Sequence, residues 1–227
     1  MYRAVLFDLD GTLTDPASVW KYLHERLQLW GAGADRYQEE FRNTRISYQE
    51  FCARDAACWR GMPISKLRAF ADEIDLRPGA HELIAFLRAR NLLIGVVSTG
   101  LTLLADRVSR ELQMDFCIAN HLITEGGRVT GEVEIRVEHG RKDLPVSLFC
   151  KRFSILPEQV VAVGDSEGDL SMFRTVGFSI AYRPTDQEAA NGADRVCGGA
   201  HLTDLIGLFP FKNPARQRTS VPGGDFN

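Results

Sequence analysis

The chain has 227 residues, of which 44% are hydrophobic and 25% are charged, and its formal net charge at pH 7 is −3. This near-neutral balance does not indicate a nucleic-acid partner, whose phosphates attract strongly basic surfaces, and no apolar run is long enough to span a membrane. The five cysteines are scattered and contain no Cys-x-x-Cys pair, which is typical of reduced thiols. Because the N-terminus enters a predicted strand at once, we expect no signal peptide and a cytoplasmic, globular protein.

The first predicted element is a short buried strand that ends in two carboxylates. The apolar run from Ala4 to Phe7 is followed by Asp8, Asp10 and Gly11. Side chains two positions apart in a strand point the same way, and open α/β sheets place their ligands at the carboxyl ends of strands. Two adjacent carboxylates repel each other unless a cation lies between them, and all-oxygen ligands favour Mg²⁺. The spacing does not fit a calcium-binding EF-hand loop.

A helical segment, residues 15–76, is predicted next. Asp15 followed by Pro16 is typical of a helix N-cap with proline at the first helical position. Apolar residues then recur at helical spacing up to Gly31, and two further helices are predicted, the second of them after Pro63. The segment has no strand signal and ends at an Arg-Pro-Gly turn. It is therefore predicted to be an insertion between the first strand and the second.

From residue 77 onward, helices and strands alternate, which is typical of a parallel sheet covered on both faces. The predicted strands are 92–97, 116–119, 160–163 and 178–181, the predicted helices are 81–90, 101–112, 142–153, 170–175 and 186–191, and a hairpin is predicted at 123–137. The predicted fold is α/β, a Rossmann-like doubly wound parallel sheet with a small helical cap after the first strand. Its core comprises residues 1–14 and 77–210, its cap 15–76, and 211–227 form a flexible tail without an assigned role.

Two further predicted strands also end in polar clusters, and the carboxyl ends of parallel strands meet at one edge of a sheet. The residues expected to converge there are Asp8, Asp10, Gly11, Ser98, Thr99, Asp165 and Asp169. A basic residue would complete this set. Lys142, at a predicted helix start, fits better than Lys151, which falls in mid-helix and is expected to be solvated. Asp169 has the alternative role of a helix N-cap.

The order of these segments resembles the four motifs of the haloacid dehalogenase superfamily of phosphohydrolases, and within it the phosphoserine phosphatase-like branch. The residues that carry the resemblance are Asp8-Leu9-Asp10-Gly11-Thr12, Ser98-Thr99-Gly100, the spacing from Lys142 to Asp165, the Ala119-Asn120-His121 segment with its hairpin, and the stretch from Val163 to Phe173. A helical cap directly after the first motif is also typical of that branch. The resemblance implies a Mg²⁺-dependent hydrolase of small phosphomonoester metabolites that acts through an aspartyl-phosphate.

The resemblance also implies a role for each candidate residue. Asp8 would attack phosphorus, and Asp10 would protonate the leaving group and then activate water. The implied metal set is Asp8, Asp10 through its backbone carbonyl, Asp165 and, in a supporting position, Asp169. The implied substrate-binding set is Gly11, Ser98, Thr99 and Lys142.

In the cap, the chain departs from the phosphoserine phosphatases. Ala17 stands where the resemblance places a glutamate for the substrate ammonium, and Asp55 stands where it places an arginine for the substrate carboxylate. Arg54 or Arg60 would restore that arginine, and Gly168 replaces an asparagine. Other candidate pocket residues are Trp20, Tyr22, Arg45 and Trp59. Three alternatives stay open: an L-phosphoserine phosphatase with a shifted arginine, a phosphotransferase or mutase, and a non-catalytic binding protein, which the two motif carboxylates disfavour. The sequence predicts no oligomeric state.

Overall fold

A central sheet organises the molecule, in a computed structural model that describes residues 1–211. Its seven strands within that range are β1 Ala4–Phe7, β2 Leu93–Leu101, β3 Phe116–Glu125, β4 Arg128–Glu134, β5 Val160–Gly164, β6 Phe178–Tyr182 and β7 Arg195–Cys197. The strand order is β4-β3-β2-β1-β5-β6-β7. All neighbouring strands are parallel except β3 and β4, which form the predicted hairpin.

The middle strands are apolar and buried on both faces, as in other parallel sheets with helices on each side. Every residue of β1 and β5 is buried. Phe7 pairs with Val96 of β2 and Val163 of β5, so the residues that follow these three positions meet at one edge. This register brings Asp8, the segment around Ser98 and Asp165 to the same edge of the sheet.

Nine α-helices belong to the described residues. They are α1 Val19–Arg26, α2 Ala34–Arg42, α3 Tyr48–Ala57, α4 Ile64–Asp72, α5 Ala80–Arg88, α6 Thr102–Glu111, α7 Asp143–Phe153, α8 Leu170–Thr175 and α9 Gln187–Gly192. Alternate residues of β1 belong to two different apolar clusters: Val5 and Phe7 share one with α5 and α6, and Leu6 shares the other with α7 and α8. Helices therefore cover both faces, and the predicted doubly wound α/β sheet is confirmed.

The helical segment between β1 and α5, residues 15–76, differs from the prediction at its start. The prediction that Asp15 caps the first helix, with Pro16 at its first position, is wrong. The helix begins at Val19, and Ser18 caps it by accepting a hydrogen bond from the amide of Lys21. Asp15 is instead ion-paired with Arg77, in a linker that a β-bridge between Thr14 and Leu76 holds extended.

The sequence patterns did not predict α2 and β7, and they predicted β2 and β3 too short. α2 buries one residue, Ala34, and most of its other residues are polar, so the sequence patterns did not predict it. β2 and β3 continue beyond their predicted ends, and β7 was not predicted. Within residues 1–211, no helix is both long and apolar enough to cross a membrane. The predicted tail lies, apart from Phe211, outside the described residues, and the division into core and cap stays a prediction.

Candidate active site

The strand ends and one helix start bring the predicted residues together. Asp8 follows β1, and Asp165 follows β5. Ser98 and Thr99 lie in an irregular part of β2, where the pairing with β3 changes register. Lys142, directly before α7, forms ion pairs with Asp8 and with Asp169, the latter at 2.6 Å between Nζ and Oδ1. Among the predicted site residues, the following side chains are at most 5% exposed: Asp8, Ser98, Lys142, Asp165 and Asp169.

Lys142 is a fully charged ammonium in spite of its burial. Burial alone would lower the pKa of this lysine, but the adjacent carboxylates of Asp169 and Asp8 raise it above its ordinary value. Its backbone amide donates to Ser171 Oγ at 2.9 Å, which fixes the start of α7. Lys151, further along the same helix, is exposed, as expected of a solvated charge. The site thus contains one fixed positive charge at the carboxyl edge of the sheet.

Three carboxylates, those of Asp8, Asp165 and Asp169, offer oxygen atoms within 4.8 Å of one another. Burial, together with the neighbouring carboxylates, raises the pKa of Asp165 to about 8 and that of Asp8 to about 6. The ionised forms of these two carboxylates are therefore disfavoured unless a further cation lies among them. An all-oxygen, buried and electron-rich cluster of this kind fits a Mg²⁺ ion.

Asp169 supports this cluster from behind. Its Oδ1 contacts Lys142, and its Oδ2 accepts hydrogen bonds from the amides of Asp165 at 3.0 Å and Ser166 at 3.1 Å. It does occupy the N-cap position of α8, the alternative role predicted for it, but its side chain makes no capping hydrogen bond to that helix. Gly11 has a positive φ of 85°, and a Cβ atom there would lie 2.6 Å from Asp165 Oδ2. A glycine is required at this turn for both reasons.

Asp10 lies outside the carboxylate cluster, and its side chain is suited to hold a proton. Its Oδ1 is buried without a hydrogen-bond partner among the described residues. Burial, and secondly the charge of Asp8, raise the pKa of Asp10 to about 8. A side chain on Gly100 would collide with the Asp10 carboxyl group, so this glycine makes room for it. At neutral pH Asp10 is therefore a carboxylic acid next to the ion-paired Asp8.

A cleft of about 560 Å³ begins at Thr99 and Asp165, at the strand ends, and extends into the helical segment. Three donors meet at the Thr99 carbonyl oxygen: Trp20 Nε1 at 3.2 Å, Tyr48 Oη at 3.0 Å and Asn120 Nδ2 at 3.0 Å. They attach α1, α3 and β3 to the end of β2. The sequence analysis named Asn120 as part of a motif, but it predicted neither the contact of Asn120 with Thr99 nor that of Tyr48. The available signal was an asparagine within a buried strand, since a buried amide needs partners.

The cap residues predicted to select the substrate lie in different surroundings. Ala17 and Asp55 line the cleft. Arg54 lies elsewhere, paired at 2.6 Å with both Glu40 and Glu50. Of the other candidates, Trp20 lines the cleft, Tyr22 bonds Glu73, and Arg45, Trp59 and Arg60 are not among the cleft-lining residues described. Neither arginine thus reaches the position of a shifted carboxylate-binding group in this structure.

Gly168 leaves space that a neighbouring side chain fills. The ring of His139 has its Cε1 atom 3.1 Å from the place of a Cβ on Gly168. This ring packs against Phe41 and Tyr48, at centroid distances of 5.4 and 6.1 Å. Burial lowers the pKa of His139, so it acts here as a neutral aromatic ring. The resemblance places an asparagine at position 168. In this chain the His139 ring lies against Gly168 instead and contacts the helical segment.

Comparisons with known proteins agree with this geometry. The model of the haloacid dehalogenase-like hydrolase family matches residues 5–174. A phosphoserine phosphatase from Archaeoglobus fulgidus is 29% identical over 96% of this chain and 62% of its own length, so the chain spans less than two thirds of that relative. One from Methanocaldococcus jannaschii is 28% identical over 83% of this chain and 90% of its own. A solved phospho-aspartyl intermediate analogue of phosphoserine phosphatase superposes with a TM-score of 0.81, at 25% identity, covering 91% of this chain and 98% of that one.

Proposed function

Because the chain belongs to the haloacid dehalogenase-like hydrolase family, as a phosphatase of that family, we propose that it hydrolyses small phosphomonoesters through an aspartyl-phosphate on Asp8. The ammonium of Lys142, held between Asp8 and Asp169 where three strand ends meet, is the observation that carries the proposal. This ion pair places the nucleophile, Asp8, beside the Lys142 ammonium, which would bind the phosphoryl oxygens. The solved analogue named above supports the same covalent chemistry.

The first step transfers the phosphoryl group to the enzyme. A carboxylate oxygen of Asp8 attacks phosphorus, and the bond from phosphorus to the ester oxygen breaks. Asp10, with its pKa raised to about 8, gives its proton to the departing alkoxide. Lys142, Ser98 and the amide of Thr99 bind the phosphoryl oxygens as charge shifts onto them.

The second step returns the enzyme to its starting state. Asp10, now a carboxylate, takes a proton from a water molecule whose oxygen attacks phosphorus. The bond from phosphorus to the Asp8 oxygen breaks, inorganic phosphate leaves, and Asp10 is again protonated. The same residue thus serves as acid and then as base, which a pKa near neutral pH favours.

Asp8, Asp165 and the backbone carbonyl of Asp10 are the residues that we assign to a Mg²⁺ ion, with Asp169 in support. The all-oxygen cluster and the raised pKa values of Asp8 and Asp165 support this assignment. When bound, the ion neutralises charge on the phosphoryl group. Lys142 keeps Asp8 and Asp169 in place in either case.

A screen of small phosphorylated metabolites with Mg²⁺ tests the proposal. We expect inorganic phosphate to be released in equal amount to the alcohol product. The phosphotransferase alternative predicts that added glycerol captures the phosphoryl group and lowers the yield of inorganic phosphate, but the relatives named above are phosphatases and do not favour it. Absence of phosphate release from every ester, including p-nitrophenyl phosphate, would contradict the proposal. The cytoplasmic location and the absence of a nucleic-acid partner stay predictions.

A further inference from the structure

Asp55 is a buried carboxylate at the cleft wall that the mechanism above does not use. It lies on α3 with 1% of its surface exposed, and His24 Nε2 lies 3.3 Å from its Oδ1. Neither carboxylate oxygen has a hydrogen-bond partner of good geometry within residues 1–211, and the same is true of both His24 ring nitrogens. Buried polar groups are almost always partnered, and His24 is the group that faces Asp55, but without a well-aligned hydrogen bond. The Asp55 oxygens therefore retain the capacity to accept hydrogen bonds from a bound group.

Aromatic rings surround this carboxylate. The rings that line the cleft with Asp55 belong to Trp20, Trp30, Phe41, Tyr48 and Phe51. Trp59 stacks on Trp20 at 5.4 Å between ring centroids and lies tilted against the His24 ring at 4.7 Å. A carboxylate among aromatic faces attracts an organic cation and repels an anion.

The wall already binds one ammonium group of the protein itself. Lys21 Nζ lies 5.1 Å from the centre of the Trp30 ring, and it also pairs with Glu25 at 3.7 Å. Lys21 and Arg42 are the basic residues that line the cleft, and both are exposed at its rim. Asp55, with the His24 ring facing it, is the buried acidic group on the helical side of the cleft.

Resting on the proposed phosphatase function, we propose that Asp55 binds the ammonium group of the substrate, and that the preferred substrates are phosphomonoesters of amino alcohols without a carboxylate. Asp55 lines one cleft of about 560 Å³ together with Thr99 and Asp165 at the strand ends, and that volume suits a small ester. An ammonium supplies the donors that the Asp55 oxygens lack. A carboxylate on the same carbon chain, as in L-phosphoserine, meets Asp55 with like charge.

Matched esters separate charge from size. O-Phosphoethanolamine and n-propyl phosphate have equally long chains, with an ammonium in one where the other has a methyl group. We expect kcat/KM for phosphoethanolamine to exceed that for propyl phosphate by about 10- to 100-fold, in line with one charge-assisted contact. L-Phosphoserine should rank below phosphoethanolamine. Asp55→Asn should lower the ratio about tenfold or more, whereas Asp35→Asn, which removes an exposed carboxylate from α2, should leave the ratio unchanged.

Inhibition of the wild-type protein provides a measurement that needs no variant. Against p-nitrophenyl phosphate, 2-aminoethylphosphonate should inhibit more strongly than propylphosphonate by a similar factor. Equal inhibition constants, or a preference for phosphoethanolamine that survives in folded Asp55→Asn, would overturn the inference. Hydrolysis of p-nitrophenyl phosphate without preference for the amine would overturn the inference alone and leave the phosphatase function intact. Failure to hydrolyse any ester would overturn both.

Discussion

Lys142 and its two carboxylate partners stabilise one another as a set. The lysine is 2% exposed, Asp8 is 5% exposed and Asp169 is fully buried. Removing one partner of a buried ion pair leaves a charge that water does not solvate, which is strongly destabilising. The second carboxylate limits that effect, because Lys142 keeps one partner when the other is neutralised. This arrangement makes it possible to alter the nucleophile without unfolding the site.

Asp8→Asn should therefore abolish turnover while the fold persists. The amide has the shape of the carboxylate and an oxygen that accepts from Lys142, but it is not a nucleophile. We expect kcat to fall by about 10³-fold or more, with an unchanged circular dichroism spectrum. Asp72→Asn, which alters an exposed carboxylate of α4, provides the matched control and should keep its activity. Retention of more than a few per cent of wild-type kcat by Asp8→Asn would rule out the covalent mechanism.

Asp10→Asn should have a different effect on different leaving groups. Asp10 has its pKa raised to about 8 by burial and by Asp8, so it supplies a proton at neutral pH. Alkyl phosphates need that proton, whereas the nitrophenolate ion leaves without one. We expect the loss in kcat/KM to be at least about tenfold larger for propyl phosphate than for p-nitrophenyl phosphate. Equal losses would show that Asp10 acts through the metal site instead.

At the scale of elements, the sequence predicted correctly those helices and strands whose apolar residues pack into the core. β1 and β5 are apolar because helices cover both of their faces, so their position could be inferred from composition alone. α2 could not, since it buries one residue and most of its other residues are polar. The first helix start was misplaced because Asp15, a good N-cap residue, is used in an ion pair with Arg77, which is distant in sequence.

Arg77 connects the two linkers between the sheet and the helical segment. Its Nε donates to the Gly11 carbonyl at 3.2 Å, its amide donates to Leu13, and its guanidinium pairs with Asp15 at 2.6 Å. Arg77→Leu leaves the Gly11 carbonyl without this donor, so we expect a loss of about 1–3 kcal/mol in the free energy of unfolding. Because Asp15 is 81% exposed, Asp15→Asn should cost less than about 1 kcal/mol.

Urea unfolding of both variants measures this difference. A lower kcat of Arg77→Leu on p-nitrophenyl phosphate is also expected, since Gly11 directly follows Asp10. Equal losses of stability in the two variants would show that the ion pair, and not the hydrogen bond to the turn, is what matters at Arg77.

At the scale of the whole molecule, the site is predictable where sheet topology assembles it. Asp8, Asp165 and Lys142 converge because parallel strands end at one edge, and that rule needs no knowledge of side-chain packing. The contacts of Tyr48 with Thr99, and of His24 with Asp55, depend on how the helical segment packs over that edge. Local sequence does not contain this information, so the sequence predicted candidate cap residues such as Ala17, Trp20 and Asp55 but not these contacts.

The charge collected by the fold at the strand ends leads to a prediction about stability. Asp8, Asp165 and Asp169 face one ammonium, and the raised pKa values of Asp8 and Asp165 show that their ionised forms are disfavoured. A cation that binds only the folded protein stabilises it by mass action, by about 2.7 kcal/mol at a hundredfold excess over its Kd. For a chain of 227 residues this corresponds to a rise in Tm of roughly 5–10 °C.

We therefore expect Tm to be higher in Mg²⁺ than in a chelator at matched ionic strength, measured by calorimetry without substrate. Asp165→Asn should lose most of this rise, since it removes a charged oxygen ligand from the cluster while the buried ion pairs of Lys142 remain. Asp72→Asn should retain the full rise, because its carboxylate is about half exposed and does not belong to the carboxylate cluster. An equal Tm in Mg²⁺ and chelator would show that the cluster does not bind the ion, and an undiminished rise in Asp165→Asn would place the ion at other ligands.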